Sequence, residues 1–186
     1  MDNNNQNQIE ELDENHLVQV RKEKLKALIE AGKNPYEITE FNRTHVTTEI
    51  FENYDELEGK EVAIAGRMMG KRIMGKASFF NLQDETGKIQ VYISLNDVED
   101  KYLDFKKYDL GDIVGVKGFV FKTKTGEISI HAKDIVLLTK TLRPFPDKFK
   151  GLKDVDLRYR HRELDLIVNP KVKETFIKRI QILRRN

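Results

Sequence analysis

The chain's 186 residues suffice for one medium domain or for a small domain joined to part of another, and 39% hydrophobic with 34% charged residues is the composition of a polar globular protein. No apolar run approaches bilayer length, the start Met1-Asp2-Asn3-Asn4-Asn5-Gln6 has neither the basic nor the apolar region of a secretory signal, and zero cysteines exclude disulfides and thiolate metal sites. These features point to a cytoplasmic protein without membrane association, and a net charge of +2 is too small to name a polyanionic partner by itself.

Residues 1–15 are rich in Asn, Gln and acidic side chains with little to bury, and read as a disordered tail. From 16 to 31, Leu17, Val20, Leu25, Leu28 and Ile29 recur at near-helical spacing among Arg21, Lys22, Lys24 and Lys26, until Gly32 and Asn34-Pro35 stop the pattern. One amphipathic helix with a basic face is predicted, inside a 16–59 segment that connects to the next domain. Over 60–140 the period changes to two. Strands are predicted near 61–69, 77–84, 88–95, 112–123 and 127–138, with a hairpin turn at Glu85-Thr86-Gly87 and a short helix over 96–108. Five strands with a helix between the third and fourth match an OB-fold barrel, and the class is mainly β with flanking helices. Leu142-Arg143-Pro144-Phe145-Pro146 reads as a linker opening a 141–186 segment, and beyond Asn169-Pro170 a further helix places Phe176, Ile177, Ile180 and Leu183 on one side. An apolar stripe with no later segment to cover it leads us to expect that the sequence stops inside a second domain.

The second and third strands carry the most chemical information. Strict alternation puts Phe80, Leu82, Ile89, Val91, Ile93 and Leu95 inward, and leaves Phe79, Gln90 and Tyr92 together on the polar face. A flat ring beside hydrogen-bonding amides, flanked by Arg67, Lys71, Arg72 and Lys76, suits an unpaired nucleobase. A surface phenylalanine covered by the N-terminal helix fits the same pattern. Charge is also divided along the chain. Residues 140–186 hold 14 Lys/Arg against 6 Asp/Glu, net +8, and the first 139 hold the remaining 19 against 25, net −6, so contact with a polyanion there must come from local clusters.

Gly70-Lys71-Arg72-Ile73-Met74-Gly75-Lys76-Ala77 nearly spells a phosphate-binding loop. Ala77 stands where a hydroxyl would meet magnesium, however, and a strand follows in place of a helix, so the segment reads as a flexible basic loop that clasps a single strand. Its counterpart is Lys122-Thr123-Lys124-Thr125-Gly126-Glu127, in which Glu127 can accept from a base N–H or pair with Lys122 or Lys124. His131 reads as outward and solvated, and His45 and His161 lack ligand spacing. No catalytic triad, carboxylate pair or metal set stands out, so catalytic and metal residues are expected to be absent.

The runs Val62-Ala63-Ile64-Ala65-Gly66-Arg67-Met68-Met69, Ile73-Met74-Gly75-Lys76-Ala77-Ser78-Phe79 and Lys122-Thr123-Lys124-Thr125-Gly126-Glu127-Ile128-Ser129-Ile130-His131 resemble the anticodon-binding domain of bacterial class II lysyl-tRNA synthetases. Leu142-Arg143-Pro144-Phe145-Pro146-Asp147-Lys148-Phe149 and Arg158-Tyr159-Arg160-His161-Arg162-Glu163-Leu164-Asp165-Leu166 resemble the entry to the same family's α+β catalytic domain. The resemblance implies that Phe79 stacks the middle anticodon uridine while Arg72, Gln90 and Glu127 read its edge, and that Arg67, Lys124 and the basic helix hold the backbone. It implies tRNA(Lys) as partner, a homodimer for the full-length enzyme, and ATP and magnesium in a catalytic domain whose motifs lie beyond Asn186. The 186 residues alone are expected to be inactive. An aspartyl- or asparaginyl-type synthetase shares the barrel, although the Lys-Thr-Lys-Thr-Gly-Glu loop and the Arg-Tyr-Arg segment argue against it; a general single-strand-binding module is the other alternative.

Overall fold

A computed structural model describes residues 2–145 and 154–184, divided into two compact units, Met1–Pro144 and Phe145–Asn186. The Pro146 end of the expected linker and Asp147-Lys148-Phe149 lie outside the described residues.

In the first unit, helix α1 (Asp2–Glu30) is followed by a 3-10 turn (Pro35–Glu37) and two short helices, α2 (Thr47–Glu52) and α3 (Tyr54–Leu57). The stretch expected to be a disordered tail is instead the first half of α1. No glycine or proline occurs before Gly32, so nothing in the sequence breaks the helix that the apolar positions further on establish. Five strands, β1 (Glu61–Met74), β2 (Ala77–Gln83), β3 (Lys88–Ser94), β4 (Ile113–Lys122) and β5 (Ile128–Thr139), form a closed barrel in the order β1-β2-β3-β5-β4. All pairs are antiparallel except β3 with β5, and α4 (Leu95–Val98) and α5 (Asp100–Lys107) connect β3 to β4. The helix expected over 96–108 is thus two pieces, broken at Glu99, whose φ of 49° no α-helix accommodates.

The barrel interior is filled by Ile64, Met68, Phe80, Leu82, Val91, Ile93, Val116, Val120 and Ile130, all essentially inaccessible, and the aromatic pair Tyr102 and Phe105 of α5 joins the same core. So small a barrel bends sharply. At Gly118, beside an irregularity in the β4–β5 ladder, a Cβ would stand 2.2 Å from the His131 carbonyl oxygen, which only glycine avoids.

β1 is longer than its periodicity suggested. Past an irregularity between Met68 and Gly70 it continues to Met74, pairing Lys71 with Phe80 and Arg72 with Phe79 before a turn at Gly75 and Lys76. The segment expected to be a flexible basic loop is therefore mostly ladder, because Phe79 and Phe80 extend β2 and supply it with register partners.

Two polar nodes fix the barrel. Asp84 accepts from the backbone N–H groups of Thr47 at 2.6 Å and of Thr86 and Gly87 at 2.8 Å, tying the β2–β3 turn to the start of α2. Burial pushes its carboxyl pKa up, but these bonds and the Thr86 hydroxyl prevail and hold it below the usual range. At the barrel's opposite end, the wholly buried Asp112 accepts from Lys140 Nζ (2.9 Å to each oxygen) and from the N–H groups of Asp109 and Thr141. Lys140 also donates to Asp109 at 2.7 Å, and Lys24 of α1 reaches Asp109 at 2.6 Å.

The second unit comprises α6 (Val155–Arg160), α7 (Arg162–Val168) and α8 (Pro170–Arg184). Asp165 is fully buried and accepts from Arg158 Nε at 3.0 Å, Arg162 Nη1 at 2.5 Å and Asn169 Nδ2 at 2.6 Å. The Arg162 guanidinium also faces the rings of Tyr159 and Phe176, at 4.7 and 5.4 Å. Of the apolar stripe expected on the last helix, Phe176 is half-buried and Ile177, Ile180 and Leu183 are exposed.

Candidate nucleic-acid interface

Residues paired across a ladder project to the same face. The register Arg72–Phe79, Phe79–Tyr92 and Tyr92–His131 therefore lays one row of side chains across β1, β2, β3 and β5, and Asn81–Gln90–Ser129–Phe121 lays the neighbouring row. The rows meet in an open pocket of about 410 Å³, lined by Phe79, Gln90, Tyr92, Phe121 and His131 with Thr123, Lys124 and Thr125 of the β4–β5 turn.

The pocket's wall is aromatic. Phe79 lies 5.1 Å from Tyr92 between ring centroids, tilted at 56°, and Tyr92 is met edge-on by His131 at 5.1 Å and by Phe121 at 6.5 Å. Each ring holds the next, so Phe79 presents its remaining face as a fixed platform. At its edge, Gln90 Nε2 donates to Glu127 Oε2 at 2.5 Å. The turn that delivers Glu127 is itself bonded: Glu127 N donates to the Thr123 hydroxyl at 3.0 Å, Thr123 N to the Glu127 carbonyl at 2.9 Å, and Gly126 takes φ 87°. The pocket and its margin thus offer amide and carboxylate acceptors, an amide donor, and the cations of Arg72 and Lys124, both exposed and without a polar partner among the described residues.

Of the six residues singled out in the sequence, Phe79, Gln90 and Lys124 line the pocket, Glu127 bonds Gln90, and Arg72 stands across the ladder from Phe79. Arg67 is not among them. Its half-buried guanidinium donates to the Gly111 carbonyl at 2.8 Å, and desolvation lowers its pKa against the opposing pull of Asp112. Glu127 is engaged by Gln90, and Lys122 lies over the Tyr54 ring at 5.2 Å. On the basic face of α1, Lys24 meets Asp109, and Arg21 donates to the carbonyls of Thr141 and Arg143.

Two features escaped the sequence reading. His131 is partnered and not freely solvated: its Nε2 meets Asp97 at 2.7 Å, where Ser94 Oγ (2.5 Å) and Lys133 Nζ also donate. Burial raises the Asp97 pKa, but these three donors outweigh it and hold the carboxyl far below the ordinary range. Nothing in the linear spacing of His131 and Asp97 announces this pair, since the parallel β3–β5 closure creates it. Phe121, in contrast, was readable: Val114, Val116 and Val120 point inward, so Phe119 and Phe121 must point out. Ser129 of the same row is fully buried beneath the pocket.

A closed five-stranded barrel with this pocket is an OB-fold of the kind that takes nucleic acid, and residues 62–138 match the tRNA anti-codon family, described as an OB-fold nucleic acid binding domain. Over most of its length the chain is similar to curated lysine–tRNA ligases. It is 54% identical over 171 residues to the lysine–tRNA ligase of Clostridium novyi, covering 91% of this chain and 34% of that protein, and 51% identical over 176 residues to that of Clostridium tetani, covering 94% and 35%. Against the lysine–tRNA ligase of Clostridium kluyveri the identity is 52% over 171 residues, 91% of this chain and 34% of the relative. The chain spans about a third of the length of these curated relatives.

Proposed function

We propose that this chain reads the anticodon of tRNA(Lys) for an enzyme that attaches lysine to that tRNA. The observation that supports the reading most directly is the Phe79 platform with the Gln90–Glu127 pair at its edge. Uridine presents two carbonyl acceptors and one N–H donor. Stacked on Phe79, it would receive donors from Arg72 and Gln90 at its carbonyls and give its N3–H to the Glu127 carboxylate. Cytosine in the same place would turn an N–H donor toward a cation and an acceptor toward a carboxylate. The mismatch leaves polar groups unpaired, and discrimination follows from that cost. Lys124 supplies sequence-independent attraction to phosphate.

The whole enzyme's lysine activation with ATP and magnesium, its homodimer and its cytoplasmic setting belong to the same proposal. Among the described residues no three His, Cys, Asp or Glu side chains converge as metal ligands, and Gly70 to Ala77 is largely strand. The three helices of the second unit would form the approach to the catalytic domain.

Titration of the 186-residue chain with a UUU-anticodon stem-loop and with one whose middle base is cytosine tests the proposal. The expected result is tighter binding of UUU, with affinity falling as salt rises. Equal affinity for both loops and for arbitrary single strands would replace it with a general single-strand-binding module.

A further inference from the structure

The exposed Arg72 and the half-buried Lys71 are neighbours on β1 with opposite fates. Lys71 points away from the pocket, toward the C-terminal end of α5, where its Nζ donates to the carbonyls of Phe105 (2.8 Å), Lys106 (2.9 Å) and Tyr108 (2.8 Å). They lie at the C-terminal end of α5, the negative pole of its dipole, where the Phe105 carbonyl also accepts from the capping Tyr108 N–H at 3.1 Å. An ammonium has three donors, and all three are used. The Phe105 ring lies 4.8 Å from the same nitrogen.

A second tie holds the other side of the hairpin. The Tyr102 hydroxyl of α5 shares a 2.8 Å bond with Ser78 Oγ on β2 and donates at 3.1 Å to the Gly75 carbonyl in the turn. Thus α5 grips β1, the turn and β2 at once. Ser78 precedes Phe79 and Lys71 precedes Arg72, so both gripped residues adjoin those that face the pocket.

We propose that Lys71 is a positioning residue for base recognition: by bonding the end of α5 it fixes the β1–β2 hairpin and so sets where Arg72 stands over the Phe79 platform. The inference rests on the proposed anticodon reading and adds to it a residue on the face of β1 opposite the pocket row. Past its bulge β1 pairs with β2 alone, its pairing with β4 ending at Arg67, and such an edge is a weak support for a recognition side chain, since sites perform when their supporting residues are locked. Burial pulls the Lys71 pKa down to about 8, against Asp109 and Asp112, which raise it, and together with Lys24 and Lys140, which lower it. Lys106 and Tyr108 are the other titratable side chains at the segment it caps. The clamp therefore loses one of its three donors near pH 8, where an arginine would keep all of its own.

The test compares the 186-residue parent with Lys71→Met, Lys71→Arg, Tyr102→Phe and Phe79→Ala, each titrated with the UUU loop and the middle-cytosine loop. Lys71→Met should lose on the order of ten-fold in UUU affinity, approach equal binding of the two loops and keep the parent's salt slope, since no phosphate contact is removed. Lys71→Arg should restore discrimination, and should hold it flat between pH 7 and 8.5 where the parent's declines. Discrimination by Lys71→Met equal to the parent's would overturn the inference. Should Lys71→Met fail to fold, Tyr102→Phe decides the matter: reduced discrimination supports the clamp and unchanged discrimination removes it. If Phe79→Ala also binds both loops as the parent does, the anticodon reading itself has failed; if only Phe79→Ala loses discrimination, that reading stands and the positioning role falls.

Discussion

The two ends of the β4–β5 ladder divide the barrel's polar chemistry between them. At one end, Asp112 and Lys140 are sealed from solvent, and the charges of Asp109, Lys24 and Lys140 are answered within the protein. At the other, the Thr123–Glu127 turn holds its own backbone in place yet leaves Lys124 and one Glu127 oxygen without a polar partner among the described residues. Saturated charges lock the fold, and unsaturated ones on a rigid turn are available to a ligand. Proximity to cations in sequence does not tell the two apart, as Lys71 and Arg72 demonstrate.

The sharpest way to break the comparison is to remove a partner from the saturated end. Lys140→Met conserves length and leaves Asp112 as an uncompensated buried charge, which should cost about 3–5 kcal/mol of stability. Urea unfolding should show the midpoint falling at a constant slope, with Asp112→Asn in the same chain recovering part of the loss. A loss within error of zero would mean that solvent reaches this end and that the division between the ends is false.

Acid probes the same contrast without mutation. Asp84, Asp97 and Asp109 are each held below the ordinary carboxyl range by their donors despite burial, so the unfolded chain binds protons more tightly than the folded one. Their contribution is fully present above about pH 4, the unfolded value, and is lost as pH falls through the folded values. Thermal melts should therefore be flat from pH 7 to about 5 and descend below pH 4. The Asp84→Asn chain should start lower at neutral pH and descend less steeply. Parallel curves for parent and variant would show that Asp84 carries no folded-state preference for its charge.

At the open end the larger effect belongs to the platform. Phe79→Ala should weaken binding of the UUU loop by about 1–3 kcal/mol, the range for one base stacked on an aromatic side chain. Intact folding is checked by the melting curve. Tyr92→Leu should lose less, because it removes the ring behind the platform and leaves the platform itself.

Much of this architecture was legible in the residues. Period-two alternation over 60–140 is a local property, and it located all five strands, the inward set and the shared face of Phe79, Gln90 and Tyr92. Tertiary closure was not legible in the same way. The partners of His131 and Lys71 come from α4 and from the end of α5, elements that no spacing rule places beside β5 and β1. The strand past Gly70 was misjudged for a related reason: a bulge shifts the alternation, and only pairing with β2 reveals that the strand goes on. The N-terminal half of α1 was misjudged from composition, which measures burial and is blind to a helix propagating outward from a packed segment.

The finest test separates the two unsaturated groups on the β4–β5 turn, three residues apart. Lys124→Ala removes a cation that has no protein partner, so it should weaken both stem-loops by the same factor and lower the steepness of log affinity against log salt by about 0.7, the value for one single-strand phosphate contact. Glu127→Gln keeps the size and an acceptor oxygen and removes the negative charge. It should leave the salt slope nearly unchanged while narrowing the gap between the UUU and middle-cytosine loops, because an amide can turn either a donor or an acceptor toward the base and a carboxylate can only accept. The two variants therefore move orthogonal readouts. If Lys124→Ala leaves the slope where it was, the nucleic-acid backbone does not pass over this turn; if Glu127→Gln changes the slope and not the gap, the carboxylate acts through its field on the phosphates and reads no base.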